Sequence, residues 1–307
     1  MSDRRAAQPP RRGLFSGPSV PPMGSMPRIR TAFTRGVVAT WSSTVIVGAV
    51  LVWLLVEWLV VVALGYPGPM ALLAHILAPP PFSTIPDSSL AVGVFGLGGQ
   101  PLIFPIAAVH ALWQSLMTGM AIESVETGSG ASRWGAVRGL RAFPTTLAVR
   151  VIGLMALLAS ELLSVLGGSL GIGLLARIGL FVIVAWLFSF APVIAVSEGR
   201  RVLDCLGRSI RAARMPGSGN LTFAVLYVIP VFATLFASPG VSLDVNPAFT
   251  AWIFVVGVNL LHTAVLGALA IRYLAIADEV PEAAPRRTST TQPAKPSSRP
   301  SGGRRRR

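Results

Sequence analysis

Long apolar runs follow one another along this chain, and the gaps between them alternate between rich in arginine and free of both lysine and arginine. A transmembrane helix needs about 20 apolar residues to cross a hydrocarbon core of about 30 Å. With 52% hydrophobic and 12% charged residues, the chain falls outside the range of soluble domains. We therefore predict an all-α, polytopic membrane helical bundle with six transmembrane helices, at residues 37–64, 101–123, 146–167, 172–196, 221–238 and 250–274.

The cationic residues of each gap indicate the side of the membrane on which that gap lies. Lysine and arginine near the ends of spans are retained on the cytoplasmic face. Residues 65–100 and 239–248 contain neither of them, whereas residues 124–145 and 197–220 contain several arginines each. The alternation predicts a multi-pass protein of the bacterial cell (inner) membrane with both termini cytoplasmic.

The two ends of the chain differ in composition from the part between them. Residues 1–35 and 278–307 are polar, rich in proline and arginine, and poor in the apolar area that would offset the entropy of ordering. We predict disordered basic cytoplasmic tails there, and a six-span transmembrane domain over residues 36–277. The net charge of +14 comes largely from the tails and cytoplasmic gaps, where anionic lipid headgroups attract each cation by about 1 kcal/mol. The predicted partners are therefore the lipid bilayer and its anionic headgroups, and no specific nucleic acid.

Two of the arginine-rich gaps contain a similar motif. Residues 138–142 have the sequence Arg-Gly-Leu-Arg-Ala, and residues 208–212 have the sequence Arg-Ser-Ile-Arg-Ala. Helical spacing around each motif separates apolar residues from arginines, as in helices that lie in the headgroup layer. We predict two cytoplasmic interfacial amphipathic helices and a weak tandem repeat of span, interfacial helix and span. The alternative is that the arginines only anchor the ends of loops.

The second interfacial helix has the clearer pair of faces. Its predicted apolar face contains Leu203, Leu206, Ile210 and Ala213. Its predicted lipid or partner face contains Arg201, Arg208 and Arg211.

The stretch Phe190–Gly199, with residues 202–209 after it, resembles a span, acid and amphipathic-helix signature. That signature belongs to the glycerophosphodiester phosphodiesterase membrane-domain family and related uncharacterised bacterial six-span proteins. Residues 134–143 are similar to the first interfacial helix of those proteins, and the resemblance covers roughly residues 100–275. Some members join this domain to a soluble phosphodiesterase barrel, which we do not expect in the residues after the last span. The resemblance implies a fold and a membrane location, and not the activity of the barrel.

Polar residues inside the spans are the best functional lead, because a charge at mid-helix costs about 2.5–3.5 kcal/mol on insertion scales. Counting from the span ends places several of them at similar depths in the outer half of the bundle. They are Glu57, His110, Gln114, Glu161, Arg177, Asn259 and His262. They form either a proton or substrate path, with Glu57 and Glu161 titrating, or a structural layer in which Glu161 and Arg177 neutralise each other. Whether that pair is in contact depends on which helix faces meet.

No enzyme motif occurs in this sequence in the structural context that its chemistry requires. A G-x-S-x-G stretch occurs at residues 167–171, but a nucleophile elbow needs a strand that runs into a helix, and this stretch joins two predicted spans. His75, His110 and His262 are widely spaced, and no zinc or phosphate-loop motif occurs. We therefore expect no enzymatic activity, no metal and no cofactor.

The gap at residues 65–100 is long and apolar for an external loop. Residues 89–99 are either such a loop or a re-entrant segment of the kind that transporters contain. The expected function is a non-enzymatic membrane scaffold or accessory protein, whose basic inner face engages anionic lipid or a protein partner. The alternative is a small transporter or permease subunit that uses the polar layer.

Overall fold

The computed structural model describes residues 26–63, 76–93, 101–128, 130–131, 133–166, 170–216, 218–241 and 248–282. The predicted all-α fold is confirmed for these ranges, in which every regular element is helical. The α-helices are α1 (Ile29–Trp41), α2 (Thr44–Ala63), α3 (Ile85–Gly93), α4 (Ile103–Thr127), α5 (Arg133–Leu166), α6 (Leu170–Phe188), α7 (Ala191–Glu198), α8 (Val202–Ala213), α9 (Asn220–Val241) and α10 (Ala248–Leu274).

Within the described ranges, four helical stretches are long and apolar enough to cross a membrane, namely Ile103–Thr127, Arg133–Leu163, Gly173–Glu198 and Trp252–Leu274. A fifth is added when α1 and α2, which meet at a bend of 78°, are taken as one broken span. Together these segments cover five of the six predicted spans. The remaining prediction, residues 221–238, falls in α9.

The first predicted span is interrupted near its start. Residues 42–44, Ser-Ser-Thr, offer side-chain hydrogen bonds that compete with the helical backbone. Ser42 Oγ donates to the carbonyl of Val38 (2.6 Å), and Ser43 Oγ accepts from the backbone N–H of Ile46 (3.4 Å) at the start of α2. As a result α1 turns away from α2 and packs along α10.

Both predicted tails have folded portions next to the bundle. Helix α1 begins at Ile29, within the predicted tail 1–35. Residues 278–282 fold back toward α8, as described below. The remainder of the predicted tails, residues 1–25 and 283–307, lies outside the described residues.

Helices α4 and α5 form a closely packed antiparallel hairpin built on glycines. A Cβ atom at Gly119 would lie 2.1 Å from the carbonyl oxygen of Gly135, and one at Gly139 would lie 2.2 Å from that of Ser115. The two backbones therefore approach more closely than any side chain would permit. Ser115 Oγ also donates to the carbonyl of Gly139 (2.6 Å) across this contact.

The first of the two predicted interfacial helices is not a separate element. Residues 134–143 form the first turns of α5, which continues without a break for 34 residues. At about 1.5 Å per residue the helix is about 50 Å long, which exceeds the roughly 30 Å of a hydrocarbon core. The motif predicts the helix there but does not show that it runs on into the next span. Trp134 and Leu140 in these turns are exposed.

The chain between α2 and α4 enters the bundle. Every residue from 76 to 87 is buried, although the backbone here is irregular apart from a 3-10 turn, Phe82–Thr84, and the start of α3. The carbonyl of Ala78 accepts a hydrogen bond from Gln114 (2.9 Å), near the middle of α4. Irregular backbone is tolerated at such depth only where protein surrounds it. Of residues 89–99, the described part, 89–93, ends α3, and residues 94–99 lie outside the described residues.

Candidate functional site

Three titratable side chains from three helices meet inside the bundle. His110 of α4 lies between two carboxylates, with Nε2 2.7 Å from Glu57 Oε1 of α2 and Nδ1 2.6 Å from Asp87 Oδ1 of α3. All three residues are buried. Because a carboxylate only accepts hydrogen bonds, both contacts are complete when both ring nitrogens carry a proton. The geometry therefore fits the imidazolium form of His110.

Arg150 of α5 completes this group from the other side. Its guanidinium binds Asp87 through two atoms, from Nε to Oδ2 at 2.7 Å and from Nη2 to Oδ1 at 2.9 Å. Its Nη1 also donates to the carbonyl of Ile76 (3.3 Å) and to Gln114 Oε1 (3.4 Å). Arg150 thus ties the buried segment 76–87 to both helices of the α4–α5 hairpin. We call Glu57, Asp87, His110, Gln114 and Arg150 the inner cluster.

Local sequence explains why these groups point into the bundle. Glu57 continues a stripe of buried residues on α2 that includes Val50 and Leu54 at helical spacing. Asp87 lies in the first turn of α3, where the exposed N–H groups of a helix favour negative charge. His110 lies on the buried face of α4, toward which both carboxylates are directed.

An aromatic pair flanks His110 on the α2 side. The ring of Trp53 meets that of His110 edge-on, with 6.2 Å between centroids, and stacks on Trp113 at 4.6 Å. Within the described residues, two buried polar atoms of α2 have no hydrogen-bond partner: Trp53 Nε1 and Glu57 Oε2. An unpaired buried polar atom costs about 1–3 kcal/mol. Water or a ligand satisfies such atoms in many proteins.

The fixed charges of the inner cluster do not balance. Glu57 and Asp87 contribute two negative charges and Arg150 contributes one positive charge, so the sum is −1 when His110 is neutral. A proton on His110 brings the sum to zero. The described residues contain no group of three or more His, Cys, Asp or Glu with the arrangement of a metal site.

The predicted polar layer divides into separate groups. Glu57, His110 and Gln114 belong to the inner cluster, where the structure brings them together. Glu161 and Arg177 contact each other at 2.5 Å between α5 and α6, and both side chains are partly exposed. Sequence spacing does not determine whether Glu161 and Arg177 are in contact, and in the structure they are.

The last two members of that layer lie on α10. Asn259 Nδ2 donates to the carbonyl of Val255 in the same helix (3.0 Å). His262 packs its ring edge-on against Tyr227, with 5.9 Å between centroids. Both are buried, and both contacts fit a role in helix packing.

Sequence reasoning missed two members of the inner cluster, Asp87 and Arg150. Asp87 falls in the gap between the first two predicted spans, and Arg150 falls near the start of the third. One signal was present, because Asp87 is the only charged residue between positions 65 and 100. A lone carboxylate in an apolar stretch indicates a buried partner.

A second group of charges lies where α7, α8 and the chain after α10 meet. Arg208 of α8 contacts Glu198 (3.0 Å), Glu282 (3.1 Å) and the hydroxyl of Tyr273 (2.7 Å). Arg200 binds Glu282 at 2.6 Å and also binds Glu198. We call these five residues the end cluster.

The end cluster holds the chain that follows α10. Arg208 donates to the carbonyls of Ala277 (2.5 Å) and Val280 (3.1 Å). The hydrogen bonds to Glu282 and Glu198 raise the pKa of the Arg200 guanidinium above its ordinary value. The same contact with Arg200 lowers the pKa of Glu282 below its ordinary value of 4.5.

The structure places the three arginines of the predicted lipid or partner face differently from one another. Arg201 is exposed, Arg211 is partly buried and donates to the carbonyl of Pro281 (2.7 Å), and Arg208 is only 5% exposed. Leu203 of the predicted apolar face is exposed. The physical reason is that Arg208 has partners in the segment after α10, which spacing along one helix does not reveal.

The two arginine motifs make matching contacts. Arg138 binds Glu126 in the last turn of α4 (2.8 Å), and Arg208 binds Glu198 at the end of α7. Each of those two helices ends at a glycine in the left-handed conformation, Gly128 (φ 65°) and Gly199 (φ 64°). A tandem repeat of span, glycine cap and arginine-bearing helix would have these contacts.

Comparison with known proteins leaves the family resemblance a prediction. No family model, no curated protein and no solved structure matches the chain. Function is therefore argued from the chemistry of the inner cluster and the end cluster.

Proposed function

We propose that the chain crosses a bacterial inner membrane six times, with both tails cytoplasmic. The four long apolar stretches and the bent α1–α2 pair supply five crossings. Helix α9, with 22 residues and a length of about 33 Å, supplies the sixth. The arginine-rich gaps then lie on the cytoplasmic side, as the distribution of cations in membrane proteins favours. Residues 76–93 enter the bundle from the outer side as a re-entrant segment.

Within this topology, the protein is a small transporter or permease subunit, and the inner cluster is its proton site. The observation that carries this proposal is the position of His110, buried between Glu57 and Asp87. Ionisable groups within a membrane are costly and commonly mark proton and substrate pathways. Histidine is also the side chain whose charge changes near neutral pH.

The chain's route supports the same function. Discontinuous helices in transporters place their ends and their irregular backbone at the binding site. Here α3 begins close to Arg150 and His110, and its first turn supplies Asp87. The end cluster, by contrast, joins permanent charges and has the character of a clamp.

Proton flux through the reconstituted protein tests this function. The full chain is placed in liposomes that contain a pH-sensitive dye and mixed sodium, potassium and ammonium salts, with the same salts outside, and a pH gradient is imposed across the membrane. We expect the internal pH of these vesicles to change faster than that of empty vesicles. The variant Glu57→Gln removes the carboxylate beside His110 and should reduce the rate to that of empty vesicles.

The matched control is Glu161→Gln, because Glu161 also carries a carboxylate in a predicted span but lies outside the inner cluster. This variant should keep the wild-type rate. If wild-type and empty vesicles equilibrate at the same rate, the transport function is wrong.

A membrane scaffold or accessory protein is the second candidate. The observation that favours it is the exposure of Trp134, Leu140 and Leu203 beside arginines. The guanidinium of Arg133 lies over the ring of Trp134, 5.1 Å from its centroid. Apolar side chains flanked by arginines suit a headgroup layer that contains anionic lipid.

The two candidates differ in the residues that they require. A scaffold tolerates Glu57→Gln but loses bound anionic lipid or copurifying protein when Trp134 and Leu203 are both replaced by serine. A transporter retains its flux in that double variant and loses it in Glu57→Gln. Native mass spectrometry measures the bound lipid and protein, and neither candidate requires enzymatic chemistry.

A further inference from the structure

We propose that the inner cluster binds one ammonium-type monovalent cation in exchange for one proton. This inference rests on the proposed transport function and adds the chemical class of its substrate. The binding site consists of Glu57 and His110, with the Trp53–Trp113 pair beside them.

The charge balance is the first step of the argument. Asp87 and Arg150 neutralise each other, because the guanidinium contacts both carboxylate oxygens. Glu57 and His110 form the other pair, 2.7 Å apart. When His110 loses its proton, Glu57 is left with an uncompensated charge in a buried position, which is strongly unfavourable. The proton therefore leaves when another cation takes its place.

Glu57 offers that cation an acceptor. Its Oε1 faces His110, whereas its Oε2 is buried and has no hydrogen-bond partner within the described residues. Glu57 as a whole is only 8% exposed. An ammonium group supplies N–H donors and a positive charge, both of which this oxygen requires.

The tryptophan pair gives the site its preference. The rings of Trp53 and Trp113 lie nearly parallel, with an interplanar angle of 7°, and Trp53 adjoins His110. Tryptophan attracts organic ammonium groups through the ring face. Stacking covers one face of each ring, so the cation contacts a face that is turned away from the stack. A strongly hydrated metal ion requires several oxygen ligands, and one unpaired carboxylate oxygen does not supply them. The site therefore favours an alkylammonium ion over sodium.

Apart from Asp87, which contacts His110, and Arg150, which contacts Asp87, the charged groups on the helices around α2 lie away from this site within the described residues. The helices packed against α2 are α1, α4 and α10. Helix α1 carries Arg30 and Arg35, which precede the bend, whereas Glu57 lies 13 residues beyond the start of α2, or about 20 Å. On α10, Arg272 lies beside Ser218, and His262 packs against a tyrosine.

The exchange conserves protons and charge. Before it, the imidazolium of His110 donates from Nε2 to Glu57 and from Nδ1 to Asp87. As the cation arrives, the Nε2–H bond breaks and the proton leaves to water, while the ammonium donates to Glu57 Oε2. The neutral imidazole keeps its Nδ1–H toward Asp87. One positive charge enters and one leaves.

Binding of methylammonium chloride to the purified full chain in lipid nanodiscs tests the exchange. Calorimetry measures the affinity, and a pH dye in weakly buffered solution counts the protons released. We expect about one proton per bound cation, and a Kd that rises up to about tenfold per unit of acidification. Binding without proton release and without pH dependence would overturn the proposal.

Two variants separate the loss of binding from the loss of folding. Glu57→Gln leaves a cluster that is neutral when His110 is neutral, so it should fold and bind methylammonium about tenfold more weakly or worse. His110→Gln leaves the buried carboxylate of Glu57 without its cationic partner, so the folded fraction of this variant should rise when methylammonium is added. Wild-type affinity in the first variant, or no rise in the folded fraction of the second, would overturn the proposal.

Glu161→Gln is again the control and should match the wild type in affinity and in proton release. Sodium chloride and tetramethylammonium chloride are the comparison ligands, and both should bind more weakly. Sodium affinity equal to that of methylammonium would overturn the proposal. If the vesicles show proton flux but methylammonium has no effect, the proposed substrate is wrong and the proposed proton site stands. If the protein shows neither proton flux nor methylammonium binding, both proposals are wrong.

Discussion

The inner cluster and the end cluster balance their carboxylates in different ways. Each contains two carboxylates that are contributed by separate parts of the chain. The end cluster matches them with two arginines, Arg200 and Arg208, whereas the inner cluster has Arg150 and His110. Arginine keeps its charge throughout the physiological range, and histidine does not. The arginines of the end cluster therefore keep their charge throughout that range, whereas the charge of the inner cluster depends on the proton of His110.

The two clusters also differ in their access to solvent. The side chain of Glu282 in the end cluster is 65% exposed, whereas those of the inner cluster are buried. Water can compensate a charge that has lost its partner in the first setting, but not in the second. The cost of removing one partner should therefore fall from the inner cluster outward.

The largest effect is expected for Arg150→Gln. This change leaves Asp87 charged, buried and without its guanidinium, a loss that costs about 3–5 kcal/mol. We expect little folded protein, measured by size-exclusion chromatography of the detergent extract. The double variant Arg150→Gln with Asp87→Asn should recover part of the yield, and a double variant no better than the single one would contradict the pairing.

A smaller loss is expected for Arg208→Gln in the end cluster. Glu198 keeps Arg200 as a partner, while the carbonyls of Ala277 and Val280 lose their donor. Such losses cost about 1–3 kcal/mol, seen as a lower midpoint of thermal unfolding. Arg201→Gln is the matched control, because Arg201 is exposed on the same helix. Equal midpoints for the two variants would show that Arg208 does not act as a clamp.

Glu161→Gln should cost less than Arg150→Gln, because the Glu161–Arg177 pair is partly exposed and the arginine that is left can extend toward the headgroup layer. Thermal unfolding measures the effect against the wild type. A loss as large as that of Arg150→Gln would mean that burial does not separate this pair from the inner cluster.

The smallest effect concerns pH and the chain after α10. Arg200 lowers the pKa of Glu282 below 4.5 in the folded protein, so their contact stabilises the fold above that pH. The contribution is lost as the pH falls through the lowered pKa. The protection factors of residues 275–282, which correct for the slower intrinsic exchange in acid, should then fall on acidification in the wild type and change less in Glu282→Gln. The same fall in both would assign it to another group.

Counting residues along spans succeeds where both partners lie in regular helices. Glu57 and His110 are predicted at similar depths from helix rise alone, and the structure has them in contact. Asp87 escapes this method because residues 76–84 follow no α-helical period, so neither depth nor face can be counted. Two partners of Arg208, Val280 and Glu282, escape it too, since they lie beyond α10 in a stretch whose composition resembles a disordered tail.

The continuity of α5 shows a further limit of local patterns. A motif of alternating arginines and apolar residues predicts a helix at residues 138–142, and a helix is present there. The pattern does not say where that helix ends, and α5 continues to Leu166. The glycines that permit its packing against α4 include Gly135 and Gly139 at four-residue spacing, but that spacing does not identify the partner helix.

The glycine contacts of the α4–α5 hairpin also determine which parts of the bundle are free to shift. With Gly119 and Gly139 in backbone contact, the two helices move as one body, and they carry both basic groups of the inner cluster. Glu57 arrives on α2, beyond the 78° bend, and Asp87 arrives on the segment that leads to α4. Any opening that admits water to the imidazole therefore forms on the side of Glu57 and Asp87, while the α4–α5 hairpin stays in place.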